Sequence, residues 1–514
     1  MNTLKIWLLL AQLSAILVSC VTPQKLTTDT SKLPDSFGVN ENFKMYSMEK
    51  NERDSTKFSV IYQVGDTMVD RRKTYRKLIA NQDSLGEIIG YQAFFKDSNL
   101  VALIDTALNN NFDIRMAYQR LTVAKNEYRF TQQSLFPTLQ GNTFFQQRKF
   151  GYYTMDDAGN RVTEFYPGKL IPTHLPDYYG GFQTNWELDV WGKLRNKKRA
   201  AFHRQLSSLD GQQLLKISLI DQIATAYYEL LSLDLELELV RRFIELQKNA
   251  LDALLVQKEA GRENELSVKQ FRALVLNSQS FEVSCLQEIQ LKENAINLLL
   301  GRMPQTILRN HQYFHRDSFV LSKYGVPSEL LNNRPDIRSA ENELMASKFD
   351  VLAAKAAFYP TFNIFGTIGL QSFSTNFLFN FPKSMAYNFL GNVAGPLINR
   401  AAIKLQFSNA KANQFESLLK YQKTVLGAYV EVVSELTTLN HLTEKEQLKK
   451  QETEELDRSI SIAYELFLTG KASYLEVLNA QRTALQSNIE LIELRKQKFI
   501  TNIHLYKSIG GGWK

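Results

Sequence analysis

Cys20 is the residue in this chain best placed to do chemistry. It follows Leu17-Val18-Ser19 at the end of a short, mostly apolar run, residues 6–18, that begins after Lys5. Such a run is too short to cross a bilayer core as a helix, which takes about 20 residues. It reads as the apolar part of a leader peptide. Two aliphatic residues and a small one before a cysteine form the cleavage pattern of bacterial lipoproteins. The expected chemistry is acylation of the Cys20 sulfur and of the amine freed by cleavage, and no other cofactor is implied.

The remaining reactive residue types form no catalytic set. The six histidines are scattered, and only His311 and His315 stand four apart, where they could share a helix face. No third ligand follows, so no metal site is expected. Gly510-Gly511-Gly512 is followed by no lysine-serine pair and lacks the strand–loop–helix context of a phosphate loop. Asp336, after Arg334-Pro335, is expected to cap or start a helix, with proline tolerated in the first turn. No enzyme is expected.

The two cysteines, Cys20 and Cys285, leave no disulfide framework once Cys20 carries lipid. Lys and Arg number 61 against 53 Asp and Glu, a net charge of +8 in 514 residues. The signs are interspersed, which describes a solvated surface and not a nucleic-acid patch.

What must position any functional residue is a set of very long helices. Leu219, Ile223, Ala226, Leu230, Leu233, Leu237, Val240, Ile244, Gln247, Leu251 and Leu254 follow one another at three- and four-residue steps. That spacing predicts a coiled-coil seam with a single polar member, Gln247. A second seam is expected through Leu475, Leu478, Arg482, Leu485, Ile489, Ile492, Lys496, Phe499, Ile503 and Tyr506. Proline is absent from 185–303 and from 397 to the end. A helix over residues 194–260 would be about 100 Å long and must pack side by side with others.

The chain repeats itself once. Leu135-Phe136-Pro137-Thr138-Leu139 is echoed by Phe358-Tyr359-Pro360-Thr361-Phe362, and Ala226-Tyr227 by Ala428-Tyr429. Gly261 is echoed by Gly470, and Leu300-Gly301 by Ile509-Gly510. The offset is 202 at the Ala-Tyr phrase and 209 at both glycines. The difference is one heptad, which predicts a second hairpin lengthened by seven residues without rotation of its seam.

After each aromatic-proline phrase come two alternating segments. Phe362, Ile364, Gly366, Ile368 and Leu370 alternate with Thr361, Asn363, Phe365, Thr367 and Gly369. Strands are expected near 139–151, 178–190, 361–372 and 386–398. Phe144, Tyr152, Tyr153, Phe373, Phe377, Phe379 and Phe381 are expected at the strand ends, as in the aromatic girdles of membrane barrels. Four strands cannot close a barrel, so the chain must share one with other copies.

These residues resemble the TolC-like outer-membrane efflux proteins, in particular the lipoprotein branch, of OprM/NodT type, that serves resistance-nodulation-division (RND) pumps. The matching phrases are Phe94-Phe95-Lys96-Asp97-Ser98-Asn99-Leu100, Ala107-Leu108-Asn109-Asn110-Asn111 and Trp186-Glu187-Leu188-Asp189-Val190-Trp191-Gly192-Lys193-Leu194-Arg195. Leu298-Leu299-Leu300-Gly301, Pro327-Ser328-Glu329-Leu330-Leu331-Asn332-Asn333-Arg334-Pro335-Asp336-Ile337 and the final Gly510-Gly511-Gly512-Trp513 follow in order. The resemblance implies a mainly α chain with a transmembrane β-barrel portion. Two internal repeats would give long coiled-coil helical hairpins forming a periplasmic tunnel. Four strands per chain would enter a twelve-strand barrel shared by a homotrimer in the outer-membrane lipid.

The implied organisation is a leader over 1–19, an extension over 20–90, a first repeat over 91–301, an equatorial link over 302–335 and a second repeat over 336–514. The long hairpins would span 192–300 and 399–510. Residues 21–90 match the pattern poorly and include a charged, helix-like stretch over 70–89. The implied partners are a periplasmic adaptor and an inner-membrane RND pump, with drugs or other small molecules as cargo. Metal ions, secreted polypeptide, and a barrel-free periplasmic scaffold are the alternatives.

The resemblance also implies the site. Ala260-Gly261-Arg262-Glu263 and Thr469-Gly470-Lys471-Ala472 match the hairpin tips that meet the adaptor. Leu475 matches an apolar ring that narrows the pore, although it also opens the second seam. Asn479 stands where an aspartate is common, Arg482 holds the next basic position, and Glu476 is the nearby carboxylate.

Overall fold

The computed structural model describes residues 90–310, 314, 331–396, 398 and 400–511. Cys20, the 21–89 extension, His311, His315, Gly512 and Trp513 lie outside the described residues. In chain order the first elements are α1 (Tyr91–Phe94), α2 (Ser98–Asn110), α3 (Phe112–Gln133) and β1 (Thr138–Lys149). A short insertion follows, made of α4 (Met155–Val162), β2 (Glu164–Tyr166) and β3 (Lys169–Leu170). Next come β4 (His174–Leu188), α5 (Lys193–Glu259) and α6 (Glu265–Leu299). The second repeat holds α7 (Pro335–Ala356), β5 (Thr361–Ser372), α8 (Thr375–Leu378), β6 (Met385–Ala394), α9 (Ala401–Leu468) and α10 (Tyr474–Ser508).

β2 pairs with β3 in a separate two-stranded sheet, and β1, β4, β5 and β6 form one antiparallel sheet in the order β1-β4-β5-β6. Its register opposes Gln183 to Gln140 and Thr367, and Thr367 to Asn388. Because successive side chains alternate between faces, one face carries Gln140, Asn142, Gln146, Gln183, Asn185, Asn363, Thr367, Asn388 and Asn392. The other carries Leu139, Phe145, Phe182, Ile364, Ile368, Tyr387, Phe389 and Val393. Apolar groups on that second face, such as Tyr387 at 77%, stand exposed. An apolar outer face and a polar inner face are the pattern of a membrane barrel wall.

Three strands depart from their expected limits. β1 and β6 end earlier, and β4 runs 174–188 instead of 178–190. The early end of β4 has a physical cause. The Asp189 carboxylate accepts the Leu194 and Arg195 backbone N–H groups, both at 2.8 Å, and so caps α5. Phe144 also departs from the expected belt at the strand ends. It lies within β1 on the polar face, stacked on Tyr179 at 5.1 Å.

The expected heptad lengthening is absent. α5 has 67 residues and α9 has 68. The Ala-Tyr phrases therefore sit about one heptad apart in equivalent helices, which leaves each on its seam. In α5 every expected seam residue is buried except Leu233 and Leu251, which are half-buried. In α10 the seam holds at Phe499, Ile503 and Tyr506 but fails toward the tip, where Val477, Gln481, Ala484 and Ser487 are buried instead. A straight helix drifts about 20° per heptad from a strict seven-residue repeat, enough to rotate the buried stripe over four heptads.

Candidate channel constriction and hairpin tips

Each hairpin tip is built by the same backbone device. Gly261 has φ +72° and Gly470 φ +73°. The Arg262 N–H donates to the Gln257 carbonyl at 2.9 Å, and the Lys471 N–H to the Leu466 carbonyl at 2.8 Å. This satisfies the last carbonyls of α5 and α9 in a turn that needs a left-handed residue. The next helices start on side-chain caps. Asn264 accepts the Ser267 N–H at 3.1 Å, while Ser473 and Glu476 form a reciprocal capping box. Arg262, Thr469 and Lys471 are exposed at these turns.

The two tips share a core. Ala250, Leu254, Val268 and Phe271 of the first hairpin pack with Phe467 and Val477 of the second. The Tyr474 hydroxyl donates to Gln270 Oε1 across them at 2.9 Å. Leu475 takes no part in this core. It is 46% exposed while Val477 is 1% exposed, so its reading as a seam leucine is overturned. Asn479 and Arg482 are exposed as well. Positions 475, 479 and 482 share one helix face, so the three side chains form a stripe turned away from the chain's own seam. Glu476 is drawn off that stripe, because its carboxylate turns back to accept the Ser473 N–H.

At the far end of the hairpins the repeats close on matched joints. Asn111 Nδ2 donates to the Leu299 carbonyl, and Arg334 Nη1 to the Ser508 carbonyl, both at 2.8 Å. Gly301 and Gly510, at φ +66° and +86°, let the chain approach Asn110 and Asn333. A Cβ on either would lie 2.8 Å from the facing carbonyl oxygen. Arg334 does more than Asn111. It pairs with Asp336 and with Glu431 of α9 at 2.8 and 2.7 Å. Asp336 thus lies in the first turn of α7 and anchors Arg334, while Arg334 itself stands at the N-cap position. A second, half-buried tie joins Arg309 to Asp234 and to Glu293, the latter at 2.5 Å. The sequence carried no signal for the Glu431 and Asp234 partners, which lie far away along the chain.

The phrase from Trp186 to Arg195 joins the sheet to the long helices. Trp186 Nε1 donates to the Leu135 carbonyl at 3.0 Å and Trp191 Nε1 to the Pro360 carbonyl at 2.8 Å. Lys193 pairs with Glu187 at 2.7 Å. Cys285 is buried in α6, and burial pushes its thiol up to about 11, so it remains protonated and inert. No helix among the described residues is long and apolar enough to cross a membrane.

A sheet with an apolar outer face, continued by long paired hairpins, defines a channel-type outer-membrane protein. The chain belongs to the outer membrane efflux protein family, which it matches over residues 103–302 and 326–511. The solvent efflux pump outer membrane protein SrpC of Pseudomonas putida is 30% identical over 424 residues, covering 82% of this chain and 87% of SrpC. The cation efflux system protein CusC of Escherichia coli is 27% identical over 428 residues, 82% of this chain and 89% of CusC. The crystal structure of CusC superposes with a TM-score of 0.74 at 26% identity, covering 84% of this chain and 96% of that one. The probable outer membrane lipoprotein SilC of Salmonella typhimurium is 25% identical over 426 residues, 82% of this chain and 88% of SilC. The protein is accordingly an outer-membrane efflux channel component and not an enzyme.

Proposed function

We propose that three copies of this chain form a closed twelve-strand barrel and a helical tunnel that carry small organic molecules out of the cell. The observation that carries this reading is an asymmetry between the repeats. α7 packs against both α5 and α9, whereas among the described residues its counterpart α3 packs chiefly against α5. Phe112, Met116, Val123 and Phe130 of α3 stand exposed, as do Phe415, Leu419, Leu426 and Val430 of α9. An α9 from the next copy fits beside α3 as the chain's own α9 fits beside α7. Edge strands β1 and β6 are likewise left to pair between copies, since an open edge is a template for another chain.

In this reading the tips around Gly261 and Arg262, and around Thr469, Gly470 and Lys471, dock a periplasmic adaptor that links the channel to an inner-membrane RND pump. Leu475, with Asn479 and Arg482, lines the periplasmic constriction. A ring of three leucines excludes water and gates the channel. None of the three side chains is a thiol, imidazole or carboxylate, which favours organic cargo over metal ions. Cys20 carries N-acyl and S-diacylglycerol lipid, as its Leu-Val-Ser-Cys context and the likeness to SilC suggest, and no other cofactor is needed. More than one acyl chain anchors stably.

Chemical cross-linking and cryo-electron microscopy of the detergent-purified protein test the assembly. Three chains around one barrel are expected, and a self-closed monomer would overturn the proposal. Mass spectrometry of the N-terminus should find acylated Cys20; an unmodified terminus at another residue removes the anchor. Deleting the gene together with that of its pump should sensitise cells to organic toxicants before metal salts.

A further inference from the structure

We infer that the periplasmic entrance of this channel is electropositive and favours anions over cations, with Arg482 as the residue that sets the preference. The inference rests on the reading of Leu475, Asn479 and Arg482 as the pore-lining stripe. Along α10 the charges nearest the tip are Glu476 and Arg482, and the next is Glu490. Glu476 is committed to the Ser473 N–H in the capping box. Glu490 is paired with Lys449 at 2.9 Å and accepts from Gln486 at 2.8 Å. Asn479, between Leu475 and Arg482 on the stripe, is neutral. Arg482 is exposed and makes no ion pair among the described residues.

The stripe therefore presents an apolar ring, a neutral ring and one cation without an ion-pair partner, while the negative charge of Glu476 is held back at the helix cap, off the stripe. Arg482 lies about 10 Å along the helix from Leu475. Three copies around an axis would place three guanidinium groups in a passage with protein walls. Such walls focus the field, and the charges lie roughly within a Debye length of the constriction. A cation crossing the leucine ring meets this field immediately, while an anion, or a cargo bearing a carboxylate or phosphate, is drawn into it. Arginine stays charged throughout the working pH range and can hold such a group with two hydrogen bonds.

The test is the reversal potential of single channels in a planar bilayer under a potassium chloride gradient. The Leu475→Ser channel is used so that current flows, with the trimer band on a gel as the folding control. Leu475→Ser should prefer chloride to potassium. Adding Arg482→Glu should reverse the sign of the reversal potential, Arg482→Gln should bring it near zero, and Arg482→Lys should keep the chloride preference. A raised conductance in Leu475→Ser with one reversal potential across all position 482 variants overturns this inference and leaves the constriction standing. Unchanged conductance in Leu475→Ser, with Arg482→Glu also silent in the current of the otherwise unaltered channel, overturns both.

Discussion

The two hairpins have nearly the same lengths, the same tip turns and matched joints, yet they differ in how much they bury. α5 buries 24 residues, among them Tyr227 and Phe243, and α9 buries 8. The cause is position. α5 is covered by α3, α6, α7 and α10, whereas α9 packs chiefly on α7 and α10 and reaches the first hairpin at the tip through Phe467. The first hairpin is therefore a core element of the single chain. The second carries an exposed apolar side that, in the proposed trimer, is one flank of an interface with another copy. On that proposal, duplicated sequence has been divided between folding and assembly.

Substitutions should separate those two roles. Phe243→Ala in the first hairpin empties a fully buried site and should cost about 3–5 kcal/mol. Thermal unfolding in detergent should show a large loss. Leu426→Glu in the second should leave the helical content of the chain intact but abolish the trimer on a gel. Equal loss of folding in both variants would break the comparison.

The joints give the next largest contrast. Arg334→Ala leaves Asp336 and Glu431 without their partner in a half-buried cluster, a loss of roughly 3 kcal/mol or more. Asn111→Ala removes an N-cap and one bond to a carbonyl, about 1–2 kcal/mol. Similar losses would show that the second joint holds no more than the first. At the tips, Gly261→Ala and Gly470→Ala force a left-handed alanine, about 1–2 kcal/mol each. The effect should stay local, read as faster amide exchange near each turn with little change in global melting.

The smallest effect concerns acid. Burial raises the Glu446 carboxyl, but Lys498 at 2.8 Å and Arg495 at 3.1 Å outweigh it and hold it below the usual range. Its contribution to the α9–α10 contact is present above the ordinary glutamate value and is lost as pH falls through the lowered one. The tie is worth roughly 1 kcal/mol or less. Glu446→Gln should weaken melting at neutral pH and flatten its fall below about pH 4.

Much of this fold was legible in the residues. The α5 seam could be read because apolar residues recur over five turns and more, and the strands because Phe362, Ile364, Ile368 and Leu370 recur at even spacing opposite Thr361, Asn363 and Thr367. The α10 seam near the tip was misread because a seven-residue count cannot follow a helix that turns every 3.6 residues. The insertion between β1 and β4 was missed for lack of periodicity. Its signals were Thr154 ahead of Asp156 and Asp157, where Thr154 caps α4, and the turn dipeptide Pro167-Gly168. At the candidate site, the tip glycines were plain from spacing. That Glu476 turns back to the helix cap, while Arg482 stands exposed on the stripe with no ion pair among the described residues, became visible only with side chains in place.

Single-channel conductance of the Leu475→Ser trimer tests the central reading most directly. Leu475 is an exposed apolar residue one turn past the second tip, and serine there should admit water to the leucine ring of the proposed trimer. Conductance should rise well above that of the unaltered channel while the trimer band persists. Unchanged conductance in a correctly assembled Leu475→Ser trimer would contradict the account and move the gate away from this stripe.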